Sequence, residues 1–177
     1  MRMPEPDAAV LSKREQIVRD LSRILPGEGI IADSHALKAY ESDGLTAYRQ
    51  PPMIVALPET TAQVAEILRY CHDGGIKVVP RGAGTSLSGG ALPLADGVVV
   101  GLGKFNRILD VDYANRCVVA QPGVTNLAIT DAVAGAGFWT TWPGSISSSW
   151  LSTATPKSRR GSASTSWRTA CNRPFPR

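Results

Sequence analysis

The sequence predicts an α+β fold, and three patterns carry that expectation. An apolar run, Met53 to Leu57, is followed by a helix-period stretch and then by a second apolar run, Ile76 to Val79. A glycine-rich run, Gly82 to Gly90, leaves the end of that second run, where sheets of this kind present ligand sites. Two further runs, Arg107 to Asp112 and Cys117 to Gln121, flank Tyr113-Ala114-Asn115-Arg116 as the strands of a hairpin flank a turn.

In chain order, residues 1–52 read as a helical lead-in. Leu11 to Leu25 is an amphipathic helix with Ile17, Leu21, Ile24 and Leu25 on its apolar side, stopped by Pro26-Gly27. Residues 53–138 read as one partial domain. Met53 to Leu57 is its first strand. Thr60-Thr61-Ala62-Gln63 is a capping box that starts a helix carrying Val64, Ile67, Leu68 and Cys71 on one face, and Gly74-Gly75 ends it. Ile76 to Val79 is the strand that delivers the glycine loop. Residues 91–97 contain Pro93 and Gly97 and show no helical period, so Val98-Val99-Val100 reads as another strand. After the hairpin, Thr125 to Ala136 is a short helix bounded by Gly135 and Gly137.

The run Pro80-Arg81-Gly82-Ala83-Gly84-Thr85-Ser86-Leu87-Ser88-Gly89-Gly90 is the most informative segment. Its glycines free the backbone to turn several N–H groups toward one anion. Arg81 adds a positive charge, and Thr85, Ser86 and Ser88 add hydroxyl donors, a set suited to a nucleotide diphosphate. The dinucleotide fingerprint G-x-G-x-x-G is not met, because Leu87 stands where its third glycine belongs and no helix opens after the loop. No Gly-Lys-Ser or Gly-Lys-Thr follows, which excludes a Walker loop. What remains is a strand-loop-strand cradle in which backbone amides do the binding.

The loop belongs to a longer ordered series: Tyr40-Glu41-Ser42-Asp43-Gly44-Leu45, Leu57-Pro58-Glu59-Thr60-Thr61, Val78 to Thr85, Leu87 to Gly97, Phe105-Asn106-Arg107-Ile108-Leu109 and Gln121-Pro122-Gly123-Val124. Over Tyr40 to Phe138 the chain resembles the FAD-linked oxidases with a flavin domain of the p-cresol methylhydroxylase (PCMH) or vanillyl-alcohol oxidase type. Within them it is most similar to the FAD-binding component of bacterial glycolate oxidases and its D-lactate dehydrogenase relatives. The resemblance implies that residues 53–138 are the N-terminal part of a PCMH-type FAD-binding domain. It implies that Pro80, Arg81, Gly82, Ala83, Gly84, Thr85, Ser86, Gly89 and Gly90 clasp the FAD diphosphate, with Gln121, Pro122 and Gly123 along the cofactor. Relatives that attach flavin covalently through this loop place a histidine after its second glycine; Thr85 stands there, which implies non-covalent FAD. The implied parent oxidises a 2-hydroxy acid such as glycolate or D-lactate to the 2-oxo acid by hydride transfer to FAD, in a complex with a second flavin-type subunit and an iron-sulfur subunit. No residue of this chain is assigned a catalytic role.

The composition changes at Trp139. Residues 139–177 hold all four tryptophans, nine serines, six of the 19 basic residues and none of the 15 acids, which leaves the preceding body at −2 and this tail at +6. The resemblance implies a second phosphate segment of the form Ser-Ile-Gly-Gly-Asn after Phe138, then a separate substrate-binding cap. At Ser145-Ile146 three serines follow instead, and without glycines the backbone loses its close approach. A basic, acid-free, aperiodic tail rich in Ser, Thr, Trp, Arg and Pro points to out-of-frame sequence on a truncated parent, with a genuine disordered tail as the alternative.

His35 precedes the first strand and His72 ends a helix beside Asp73, positions of surface or capping residues. His, Cys, Asp and Glu show no metal-ligand spacing, and Cys71, Cys117 and Cys171 read as reduced thiols. No apolar stretch approaches a membrane span, and Met1 to Val10 carries two prolines and two acids where a signal peptide is basic then apolar. The expected location is cytoplasmic. Two other functions stand beside the oxidoreductase fragment. One is a non-catalytic flavin- or nucleotide-binding module. The other is a nucleic-acid contact through Lys157 to Arg160 with Trp150 and Trp167, disfavoured because the body has no basic stripe, so no nucleic-acid partner is expected. Val118, Val119, Leu127 and Val133 are expected to lack apolar partners, which predicts a poorly soluble or partly molten chain.

Overall fold

A computed structural model describes residues 3–140 and 152–156. Two helices open the chain, α1 (Ala8–Ser12) and α2 (Arg14–Ile24). The single helix expected over Leu11 to Leu25 is therefore divided at Lys13, whose φ of −95° and ψ of 5° leave the helical region. The side chains on either side account for the break. The Ser12 hydroxyl donates back to the Ala9 carbonyl at 2.9 Å, and the Arg14 guanidinium reaches the carbonyls of Met53, at 3.3 Å, and Ala32. Asp7 begins α1 by accepting the Ala9 N–H at 2.8 Å.

Strand β1 (Ile30–Ile31), the short helix α3 (Ser34–Leu37) and a 3-10 turn (Lys38–Tyr40) lead to β2 (Ile54–Ala56). Helix α4 (Thr61–Asp73) follows with the expected capping box: Thr60 accepts the Gln63 N–H at 3.2 Å, and Gln63 accepts the Thr60 N–H at 3.1 Å. Then come β3 (Lys77–Arg81), β4 (Gly97–Gly101), the hairpin β5 (Ile108–Asp112) and β6 (Cys117–Ala120), α5 (Asn126–Ala134), β7 (Phe138–Thr140) and β8 (Ser152–Pro156).

The strands form two sheets. The first has the order β1-β2-β4-β3, with β2 and β3 both parallel to β4 and β1 antiparallel at the edge. So β4 lies between the two strands that α4 connects, and β3 pairs with β4 in register from Lys77 opposite Gly97 to Arg81 opposite Gly101. The second sheet has the order β5-β6-β8-β7, all antiparallel, with α5 packed on it.

Alternation along β2 and β4 gives the first sheet two apolar faces. Ile54, Ala56, Val98 and Val100 face α2 and α4, where they meet Ile17, Leu21, Leu25, Ile67 and Cys71. Val55 and Val99 face the other way with Val79 and pack under Leu37. Burial pushes the Cys71 thiol up to about 11, so Cys71 is a protonated packing residue. The expected apolar face of α4 is narrower than its sequence implies. Ile67 and Cys71 are buried, whereas Leu68 is 46% exposed on the flank.

The expectation for the last helix and hairpin is corrected in part. Val118 and Val133 are buried against each other's elements with Val124 and Ile129, because α5 covers one face of the β5–β6 hairpin. Val119 and Leu127 point away from that contact and are exposed.

Candidate functional site: a glycine loop at the carboxyl end of parallel strands

Strand pairing sets where the loop lies. β3 and β4 run parallel, so the chain must return along their length between Arg81 and Gly97, and parallel neighbours ordinarily make this crossover with a helix. Here the crossover is the glycine loop and the irregular segment after it, residues 82–96. The loop therefore leaves the carboxyl end of β3, which is where such sheets bind ligands.

Pro80 sits within β3 opposite Val100 and is exposed. Arg81 ends the strand. Its Nη1 donates to the carbonyls of Ser42 at 2.9 Å, Ala91 at 3.2 Å and Tyr40 at 3.4 Å, and its guanidinium carbon lies 5.6 Å from the centroid of the Tyr40 ring. The arginine thus spends these bonds on fastening both flanks of the loop. Gly84 has a φ of +73°, a conformation that favours glycine, and a Cβ there would displace the Arg81 guanidinium.

The loop's amides fall into two sets. The Ser86 hydroxyl accepts the N–H groups of Ser88 at 3.4 Å and Gly90 at 3.3 Å, and Asp43 accepts that of Gly89 at 3.0 Å. Among the described residues, the backbone N–H groups of Gly82, Ala83, Gly84, Thr85, Ser86 and Leu87 meet no acceptor. Six successive amides on an exposed, glycine-bearing turn suit a diphosphate, which supplies several acceptor oxygens within one short reach. The residues present therefore fit the diphosphate of a nucleotide cofactor.

Gln121, Pro122 and Gly123 form a turn fastened to the segment after β4. Gln121 and Arg107 exchange two bonds at 2.9 Å, one through the Gln121 side-chain oxygen, and the Gly123 N–H donates to Phe105 at 2.7 Å. A Cβ on Gly123 would lie 2.7 Å from the Gly103 oxygen, so only glycine permits this approach. The Leu102 N–H in turn donates to Arg81 at 2.9 Å, which brings this turn and the glycine loop to the same end of the sheet.

The segment Tyr40–Gly44 was visible in the sequence as a matched stretch without a role, and the structure lays it against the loop. An acid within Ser-Asp-Gly is a turn signal, and nothing in its local pattern identifies a partner 46 positions away. His35 and His72 are both exposed, as expected of surface residues. Among the described residues no group of His, Cys, Asp and Glu is arranged to hold a metal ion, and no helix is long and apolar enough to cross a membrane.

Residues 52–170 match the family model described as an FAD binding domain. Glycolate oxidase subunit GlcD of Escherichia coli (strain K12) is 46% identical over 121 residues, which cover 68% of this chain and 24% of that protein. The mitochondrial D-2-hydroxyglutarate dehydrogenase of Arabidopsis thaliana is 34% identical over 107 residues, 59% of this chain and 19% of that one. Among solved structures, p-cresol methylhydroxylase with substrate bound shares the fold with a TM-score of 0.65 at 19% identity, covering 77% of this chain and 27% of that one. This chain thus spans about a quarter of the length of the first of these relatives. The amide-lined loop, the parallel strands that present it and the matched span agree: the chain belongs to the FAD binding domain family.

Proposed function

We propose that this chain is the diphosphate-holding part of an FAD-dependent oxidoreductase that oxidises a 2-hydroxy acid to a 2-oxo acid. The observation that carries this is the row of six open amides, Gly82 to Leu87, at the carboxyl end of parallel strands in a chain of this family. The names of the relatives, a glycolate oxidase subunit and a D-2-hydroxyglutarate dehydrogenase, support the substrate class. Bound FAD supplies the hydride acceptor; this chain's residues bind and orient it. The amides of Gly82 to Leu87 meet the phosphate oxygens, Arg81 adds its field, and Gln121-Pro122-Gly123 lies along the cofactor. Thr85, in the place where covalent relatives carry a histidine, leaves the flavin non-covalent. Glycolate oxidase assembly with a second flavin-type subunit and an iron-sulfur subunit, in the cytoplasm, completes the proposal.

Titration of the purified chain with FAD, followed by flavin fluorescence, tests it. Saturable quenching that survives gel filtration in buffer, and is released by denaturation, is the expected result. Bleaching of that flavin by glycolate, D-lactate or D-2-hydroxyglutarate extends it to a working site. No saturable binding overturns it.

A further inference from the structure

Asp43 is a buried carboxylate, 6% exposed, on a segment 46 residues before the loop limb it touches. Its two oxygens have separate tasks. Oδ1 accepts the Leu45 N–H at 3.0 Å and closes its own turn, while Oδ2 accepts the Gly89 N–H at 3.0 Å and reaches across to the loop. Its neighbours on both sides also engage the loop. The Ser42 carbonyl accepts from Arg81 at 2.9 Å, and Gly44 lies so close that a Cβ would stand 2.9 Å from the Thr85 oxygen. Three consecutive residues thus grip the loop at its base, its middle and its far limb.

We propose that Asp43 is a positioning residue of the cofactor site. By taking the Gly89 N–H, it holds the far limb of the loop down and leaves Gly82 to Leu87 as the donors presented to phosphate. An ionised acceptor suits this task, because a carboxylate binds a backbone N–H more strongly than a neutral oxygen does. A loop with this many glycines otherwise loses much conformational freedom on binding, and that loss weakens affinity. The inference rests on the FAD reading above and adds to it a residue that makes no contact with the cofactor.

The test compares the full chain with Asp43→Asn and Asp43→Ala. Asp43→Asn keeps the side chain's size and retains one oxygen acceptor, so one of the Gly89 and Leu45 amides faces an NH2 group instead. FAD affinity is expected to fall about tenfold in Asp43→Asn and further in Asp43→Ala, as the fraction of chains whose loop is already held falls. Hydrogen exchange of the peptide covering residues 82–90, without FAD, is expected to speed up in Asp43→Asn, while exchange over β2 and β4 stays at the wild-type rate. A purely structural role leaves FAD affinity at the wild-type value in the folded variant, whatever its melting temperature, and overturns the inference. Should Asp43→Ala not fold, Asp43→Asn carries the test alone. Should the wild type itself not bind FAD, the proposed function fails and the exchange measurement still decides the tether: unchanged protection at Gly89 overturns it.

Discussion

Lys77 Nζ lies 2.6 Å from Asp96 Oδ2, and that same oxygen accepts the backbone N–H of Asp7 at 2.8 Å. One carboxylate, 2% exposed, therefore joins the start of edge strand β3, the end of the crossover loop and the cap of the first helix. Asp96 fixes where the loop re-enters the sheet, as Arg81 fixes where it leaves.

Replacing that carboxylate should loosen all three attachments. Asp96→Ala is expected to cost about 1–2 kcal/mol, because it removes the hydrogen bonds from Lys77 and from the Asp7 N–H. Lys77→Met should also destabilise, because it removes the counter-charge and leaves the buried Asp96 carboxylate with the Asp7 N–H as its remaining partner from this trio. Urea denaturation of both variants measures the two losses.

The same pair sets an acid limit. Burial alone would raise the Asp96 carboxyl, but the Lys77 hydrogen bond and the Asp7 amide outweigh it and hold the group below its ordinary 3.8. A lowered folded value stabilises the fold above the unfolded value and loses that contribution as the pH falls through the folded one. Stability should therefore decline below about pH 4, and the decline should be shallower in Asp96→Asn. Thermal melts from pH 6 to pH 2.5 measure the slope.

At the other end of the scale, Tyr70 donates to Asp20 at 3.0 Å and ties α4 to α2. Burial, then the bond to Asp20, push its hydroxyl up to about 12. Its contribution is complete below pH 10 and is lost as the pH rises toward 12, because the unfolded chain gives up the proton first. The phenolate absorbance missing from Tyr70→Phe should appear near pH 12. A midpoint near 10 in the folded wild type would refute the assignment.

Packing predicts a sharp contrast between two apolar residues of similar size. Ile67 is fully buried between α4 and the first sheet, and Ile67→Ala should cost about 2–5 kcal/mol. Leu127 is 68% exposed on α5, and Leu127→Ala should change stability by less than about 0.5 kcal/mol. Parallel denaturation curves decide it.

Much of the first sheet was legible because its signals are local. The Thr60 capping box, the Gly74-Gly75 stop and the valine run at 98–100 each specify their element within a few residues. The loop was legible for the same reason. The break at Lys13 and the pieces at 30–31 and 34–40 were not, since two to five residues carry no period and the Arg14 contacts that stabilise the break come from residues 18 and 39 positions away. Leu68 shows the limit of periodicity: its spacing matches Ile67 and Cys71, but only the neighbouring sheet decides which stripe it covers. At the site, the glycines mark the loop as the candidate, whereas the inward turn of Arg81 and the reach of Asp43 depend on a segment that tertiary structure alone brings near.

A parallel pair joined by loop rather than helix has a further consequence for how the sheet holds together. A crossover helix packs on its sheet and helps to drive the two strands side by side; between β3 and β4 only the second half of the crossover does so, through buried Ala91 and Pro93 and through Leu94 on the Val79 and Val99 face, so the glycine half, residues 82–90, adds closing entropy with little packing to offset it. Any anion that orders the loop lowers that entropy in advance. On the proposed reading, FAD held by the loop would favour the docked edge strand by mass action, and its concentration would set how firmly β3 is held.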